Sequence, residues 1–302
     1  MKTNAIIRIV LFSIAILLLL GLLTAGVCLD LLAADGGILG FTHSGKLQGG
    51  TVSSTGEADA GLISQISVEW ATGTIRIQSG DVDKITFSET GAADEEHKMI
   101  WKQSGSKLRI QFSDNAVSFF GLGISINSSI SKDLTITVPR DWTCQELSLA
   151  VAAANVVVED MIIDEVDFDS ASGFCVFENC QVEDLSLDSA SGDIHFSGTL
   201  DTLDCDAASA DCVIDLTNVP SRIDMDTASG DLDLTLPENC GFTVSLDALS
   251  SDFSSEFPTT QSNGDHVYGD GSCRISIDAM SGDVTIRKGE FTPLPTVPSP
   301  GA

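Results

Sequence analysis

The stretch 185–198 reads LSLDSASGDIHFSG, and the chain nearly writes it again as IDMDTASGDLDLTL at 223–236 and ISIDAMSGDVTIRK at 275–288. Self-similarity at a period near twenty residues is the mark of a stacked array, in which each repeat is one small unit that must lean on its neighbours. Aligned on the Ser of each SG pair or its equivalent, the repeats anchor at Thr72, Ala153, Ser172, Ser191, Ser209, Ser229, Ser250 and Ser281. From Ala153 to Ser250 the intervals are 19, 19, 18, 20 and 21 residues, and the last is 31. That longer interval holds SSEFPTTQSNGDHVYGDGS, whose Pro, Gly, Asn and Ser content marks a loop inserted into one repeat.

The aligned columns sort by chemistry. Six residues before the anchor stand Ile66, Leu147, Val166, Leu185, Leu203, Ile223, Val244 and Ile275; four before it the set runs from Val68 to Ile277, again mostly apolar. Three after it stand Ile75, Val156, Cys175, Ile194, Cys212, Leu232, Phe253 and Val284. Apolar residues two apart with polar ones between them are the pattern of a strand with one buried face. Each repeat therefore supplies two short strands joined at the SG turn, where Gly173, Gly192, Gly230 and Gly282 accept positive φ without steric cost. The expected fold is all-β: a β-solenoid of about eight rungs behind an N-terminal transmembrane helix. A β-sandwich or barrel would satisfy the same alternation, but identical columns across consecutive repeats favour the solenoid.

Outside the repeats, residues 1–32 contain an uncharged apolar run of 21 residues from Ile9 to Leu29, long enough as a helix to cross a bilayer core. Lys2 and Arg8 precede it and Asp30 and Asp35 follow, which orients an anchor with its N-terminus in the cytoplasm and the rest outside; a cleaved signal peptide is the alternative. Residues 33–61, rich in Gly, Ser and Thr, read as a flexible spacer, 62–288 as the solenoid, and 289–302 as a Pro-rich disordered tail.

The SASGDI, TASGDL and MSGDV turns, the LTITVP segment at 134–139 and the N-terminal apolar run resemble the putative-adhesin domain family of bacterial envelope proteins, a β-strand-repeat domain of unknown function. That resemblance implies a role at the cell surface in adhesion or envelope stress, and it brings no catalytic residues. The AAAN and SAD segments at the Ala153 and Ser209 repeats depart from its pattern, as does the 254–272 insertion.

The chain carries 44 acidic and 15 basic residues, a net charge of −29, which excludes a nucleic-acid partner. Two acid columns flank the turns, one through Asp188, Asp206 and Asp226 and the other through Asp193, Asp211 and Asp231. They read first as turn caps, and second as weak Ca²⁺ ligands, since that ion takes several carboxylate oxygens. No other cofactor is expected. Cys175, Cys205 and Cys212 fall in apolar columns and read as small core residues, and no CxxC spacing suggests a metal or redox site. The scattered His43, His97, His195 and His266 form no catalytic arrangement. Phe119, Phe120, Leu122 and Ile124, in the apolar stretch 116–130, read either as a contact for a partner or as a lid over the solenoid end. The function these features suggest is a non-catalytic, membrane-anchored binding or adhesion module whose partner is an envelope component or protein. An envelope-stress sensor engaging cationic peptides is a second reading, and a carbohydrate-active β-helix enzyme a third.

Overall fold

A computed structural model describes residues 47–92, 94–113 and 130–289. The apolar run assigned to an anchor, the Pro-rich tail, and Phe119, Phe120, Leu122 and Ile124 lie outside the described residues. Among the described residues no helix is long and apolar enough to cross a membrane.

Burial follows the expected columns. The eight residues six places before the anchors are at most 1% exposed, and Ile75, Val156, Cys175, Ile194, Cys212, Leu232 and Val284, on the other side of the turn, are at most 2% exposed. Each rung is one pass of two strands that meet at the SG turn and face each other across the core, and successive rungs pair in parallel. Phe177 and Phe196, for example, lie on paired rungs with ring centroids 6.0 Å apart inside the core.

The SASG motif is a device for stacking. Buried Ser189 donates its hydroxyl to the carbonyl of Ser191 in its own turn, and Ser191 donates to the Ala171 carbonyl of the rung before. Gly192, at φ +123°, brings its Cα so close to that rung that a Cβ would sit 1.9 Å from the Gly173 carbonyl oxygen. The glycine is needed for the close approach as much as for the turn. Ala154 and Ala210 replace it in the two departing repeats and are not among the residues with positive φ. At the opposite corner of the coil the left-handed positions are filled by Asp160 and Asn179, residue types whose short polar side chains tolerate that region. The Asn179 amide donates to the Asp160 carboxylate at 2.6 Å.

Two features differ from a stack in chain order. The Ser281 rung pairs with the Ser229 rung on one side and the Ser250 rung on the other, so the last repeat in sequence is inserted one place in from the end. The first repeat is likewise penultimate: Gln65–Gly80 lies between Thr143–Glu159 and a further rung, made of Lys107–Gln111 and Asp133–Pro139, that lacks the repeat signature. Nine parallel passes are thereby described, one more than the eight expected from the anchors.

Both ends are closed by antiparallel strands. At the first end Thr55–Ala58 pairs with Ile85–Thr90, which pairs with Asp133–Pro139, and Ile100–Ser104 pairs with Lys107–Gln111. At the other end Asp265–Tyr268, hairpinned with Thr260–Ser262, pairs with the edge strand Phe242–Ser250. The insertion expected as a loop therefore contains a hairpin that covers the Phe242, Thr243 and Val244 end of the edge strand and shortens the exposed strand template. Residues 51–52 and 55–58, expected in a flexible spacer, are instead strands of the first cap, and Leu47 and Ala58 are buried. Their Gly, Ser and Thr content concealed them because a short antiparallel cap needs only one or two apolar anchors. The last rung in the stack is the least sealed: Leu246 and Phe253, apolar in their columns, stay partly exposed because a further rung packs on one side only, although the Phe253 ring also stacks on His266 at 4.1 Å.

Candidate binding surface

The strand before each SG turn turns its polar residues outward, and in-register pairing makes each outward position a column across the sheet. Asp169, Asp188, Asp206, Asp226, Asp278 and Asp247 occupy one column in that spatial order, each the direct partner of the next. Rungs stack about 4.8 Å apart, so this is an unbroken row of carboxylates along six rungs. Burial pushes the carboxyls of Asp169, Asp188, Asp206 and Asp226 above the ordinary range, and neighbouring carboxylates add to the shift: Asp167 for Asp169, Asp169 for Asp188, Asp188 for Asp206, Asp278 for Asp226. Like charges in register raise one another's proton affinity.

The column after the turn behaves differently. Asp211 accepts a hydrogen bond from the Asp231 amide at 2.9 Å, Asp231 from the Asp283 amide at 2.8 Å, and Asp283 from the Asp252 amide at 3.0 Å. Asp133 and Asn155 do the same for Thr74 and Phe174 at earlier rungs. These side chains are turn caps that tie one rung to the next, and Asp193 stands in the same column. Of the Ca²⁺ candidates, Asp188, Asp206 and Asp226 thus lie in the outward row and Asp211 and Asp231 in the capping row. Among the described residues no three His, Cys, Asp or Glu side chains converge into a group able to hold a metal ion.

The acidic sheet has basic margins. At one end Lys107 pairs with Glu146 at 2.7 Å and Arg109 with Glu69 at 3.1 Å. Toward the other, Arg222 and Arg274 are direct partners on adjacent rungs and line a depression of about 540 Å³ with Asp224, Thr243, Ser245 and Ser276. On the second sheet His195 faces outward, half-exposed, 3.6 Å from Asp215, between Val176 and Val213 on the flanking rungs.

All seven cysteines among the described residues are buried free thiols. Cys175 and Cys212 are separated by the Ile194 rung, as their column positions require, and Cys205 is stacked between Leu187 and Met225. Less expected is that Cys205 and Cys212 interact across the core of one rung, a contact that raises the Cys205 thiol's proton affinity, with burial adding to it. Their seven-residue separation, spanning the turn from one inward column to the other, carried that signal.

These features define a parallel β-solenoid that presents an acidic, carboxylate-ribbed outer sheet. The chain belongs to the Toastrack DUF4097 family, whose sequence model matches residues 63–287. No curated protein is similar to it in sequence. Among solved structures it is similar to a putative adhesin from Bacteroides fragilis, at 13% identity and a TM-score of 0.43, covering 78% of this chain and 96% of the other. It is also similar to a putative cell adhesion protein from Clostridium sporogenes (10% identity, TM-score 0.37, 80% and 100% covered). A putative lipid binding protein from Parabacteroides distasonis matches at 13% identity and a TM-score of 0.36, with 78% and 96% covered.

Proposed function

We propose that this chain is a non-catalytic binding module of the cell envelope, held by its N-terminal apolar segment with the solenoid outside the membrane, and that its acidic sheet engages a cationic partner. The observation carrying this reading is the six-rung carboxylate row from Asp169 to Asp247, in which Asp169, Asp188, Asp206 and Asp226 have raised proton affinity. A surface that strains against its own charge gains most from a ligand that brings positive charge at a matching repeat, such as an extended basic peptide. Ca²⁺ and Mg²⁺ act on the same row as counter-ions, and at matched ionic strength they are expected to raise the melting temperature alike.

The test is titration of the full chain with an oligolysine peptide and with an uncharged peptide of equal length, at several salt concentrations. Oligolysine should bind, lose affinity steeply with salt, and bind at least tenfold more weakly to the Asp188→Asn, Asp206→Asn, Asp226→Asn triple variant. Equal binding of both peptides, or an unaffected triple variant, would remove the acidic sheet as the binding surface. For placement, protease added to intact cells should remove the solenoid while a tag at the N-terminus survives.

A further inference from the structure

From residue 146 to 286 the chain has 29 acidic residues, and its only Lys or Arg residues are Arg222 and Arg274. They are 52 positions apart in sequence and side by side in space, because the Ser281 rung inserts next to the Ser229 rung. Had the rungs stacked in chain order, the column partner of Arg222 would be Thr243. Like charges placed directly opposite on neighbouring strands oppose each other. The two arginines are also unequal. Arg222 is neutralised by Asp224 at 2.6 Å and lies 3.8 Å from Asp204, whereas Arg274 is exposed and has no ion-pair partner among the described residues.

Around that free guanidinium the surface is concave. The depression is about 540 Å³ and half open to solvent. Its polar lining mixes two kinds of group. Arg274 offers a planar fork of donors suited to a carboxylate, while Asp224 is an acceptor and Thr243, Ser245 and Ser276 are hydroxyls that donate or accept. The Thr243 hydroxyl is oriented by its bond to the Gly271 carbonyl at 3.2 Å.

We infer that this depression is a binding site for an acidic saccharide unit, with the sugar carboxylate on Arg274 and the sugar hydroxyls on Asp224, Ser245 and Ser276. A free phosphate fits the same guanidinium less well for two reasons. A dianion meets about twice the repulsion from Asp224 and Asp204 that a carboxylate meets, and phosphate lacks the array of hydroxyl donors that Asp224 would accept. The chain's negative charge does not forbid the site, since exposed charges beyond about 8 Å are largely screened at physiological ionic strength.

Calorimetric titration of the full chain tests this with three probes: a tetrasaccharide alternating glucuronate and N-acetylglucosamine, neutral chitotetraose, and inorganic phosphate. The acidic tetrasaccharide should bind saturably and at least tenfold more tightly than either control. Arg274→Gln should weaken it tenfold or more without lowering the melting temperature or weakening oligolysine binding, which separates this site from the acidic sheet. Absence of saturable binding, equal binding of chitotetraose, phosphate binding as tight as the acidic sugar, or an unaffected Arg274→Gln variant would each overturn the assignment.

Discussion

Lys132 and Glu89 form an ion pair at 2.6 Å with both side chains wholly inaccessible to solvent, where the first antiparallel cap meets the solenoid. Glu89 also accepts from the Met99 amide at 2.7 Å and the Ser54 hydroxyl at 3.2 Å, so its carboxylate gathers three segments of the cap. The Lys132 ammonium donates to the His97 and Phe112 carbonyls and lies 4.1 Å from the Phe112 ring centroid and 4.9 Å from that of Trp70. Burial lowers its pKa, and Glu89 opposes that shift.

Removing one member of such a pair strands a buried charge, at a cost of about 3–5 kcal/mol. Lys132→Met should therefore destabilise the chain by that order in chemical denaturation. Adding Glu89→Gln, which keeps an acceptor for Met99 but no charge, should restore most of the loss. A double variant as unstable as the single would mean that packing, rather than the stranded carboxylate, sets the cost.

Ile194 and His195 are adjacent in sequence and opposite in environment, 1% exposed against half-exposed. Ile194→Asp should cost several kcal/mol by burying an unpaired charge in a stacked column. His195→Asn should stay within about 0.5 kcal/mol of the parent, as exposed substitutions usually do. Similar melting of the two variants would contradict the facing of this strand.

The outward Asp row makes stability depend on pH with a definite sign. In Asp169, Asp188, Asp206 and Asp226 the folded pKa is raised above the unfolded one, so between those values the native chain binds more protons. Stability from these groups is gained as pH falls through the folded pKa toward the ordinary Asp value near 3.9, and lost as pH rises. Asp81, paired with Arg140, and Asp94, paired with His97, have lowered pKa values and contribute the reverse, losing stability as pH falls through them. Calorimetric melting temperature should rise as pH falls from neutral toward the ordinary Asp value and turn over below about pH 4. Asp188→Asn with Asp206→Asn should flatten the climb; a steady fall from pH 7 in the parent would refute this account.

Burial pushes the thiols of Cys144 and Cys273 up to about 12 and that of Cys180 to about 11. The thiolate is the reactive form, so at neutral pH iodoacetamide should label the seven solenoid cysteines only as fast as the chain opens. Mass spectrometry should find them unmodified in native protein and fully alkylated in denaturant. Rapid native labelling at Cys205 or Cys212 would show that the rung they share is open.

Sequence alone determined the rung. Burial on one side of an extended strand enforces a period of two, so Ile66 to Ile275, the inward Cys175, Cys205 and Cys212, and the two Asp columns could be placed residue by residue. The close-packed turn could be placed because only a few residue types satisfy it. Which rung stacks on which was not legible, since every repeat offers the same apolar columns and any order buries them equally well. That choice fell to long-range contacts: the hairpin within 254–272 pairs with Phe242, Thr243 and Val244 at the start of the edge strand, and the Ser281 rung slots in behind it. Only the tertiary structure therefore brought Arg222 beside Arg274 and Lys132 onto Glu89, because these pairs join residues 52 and 43 positions apart whose local patterns carry no trace of each other.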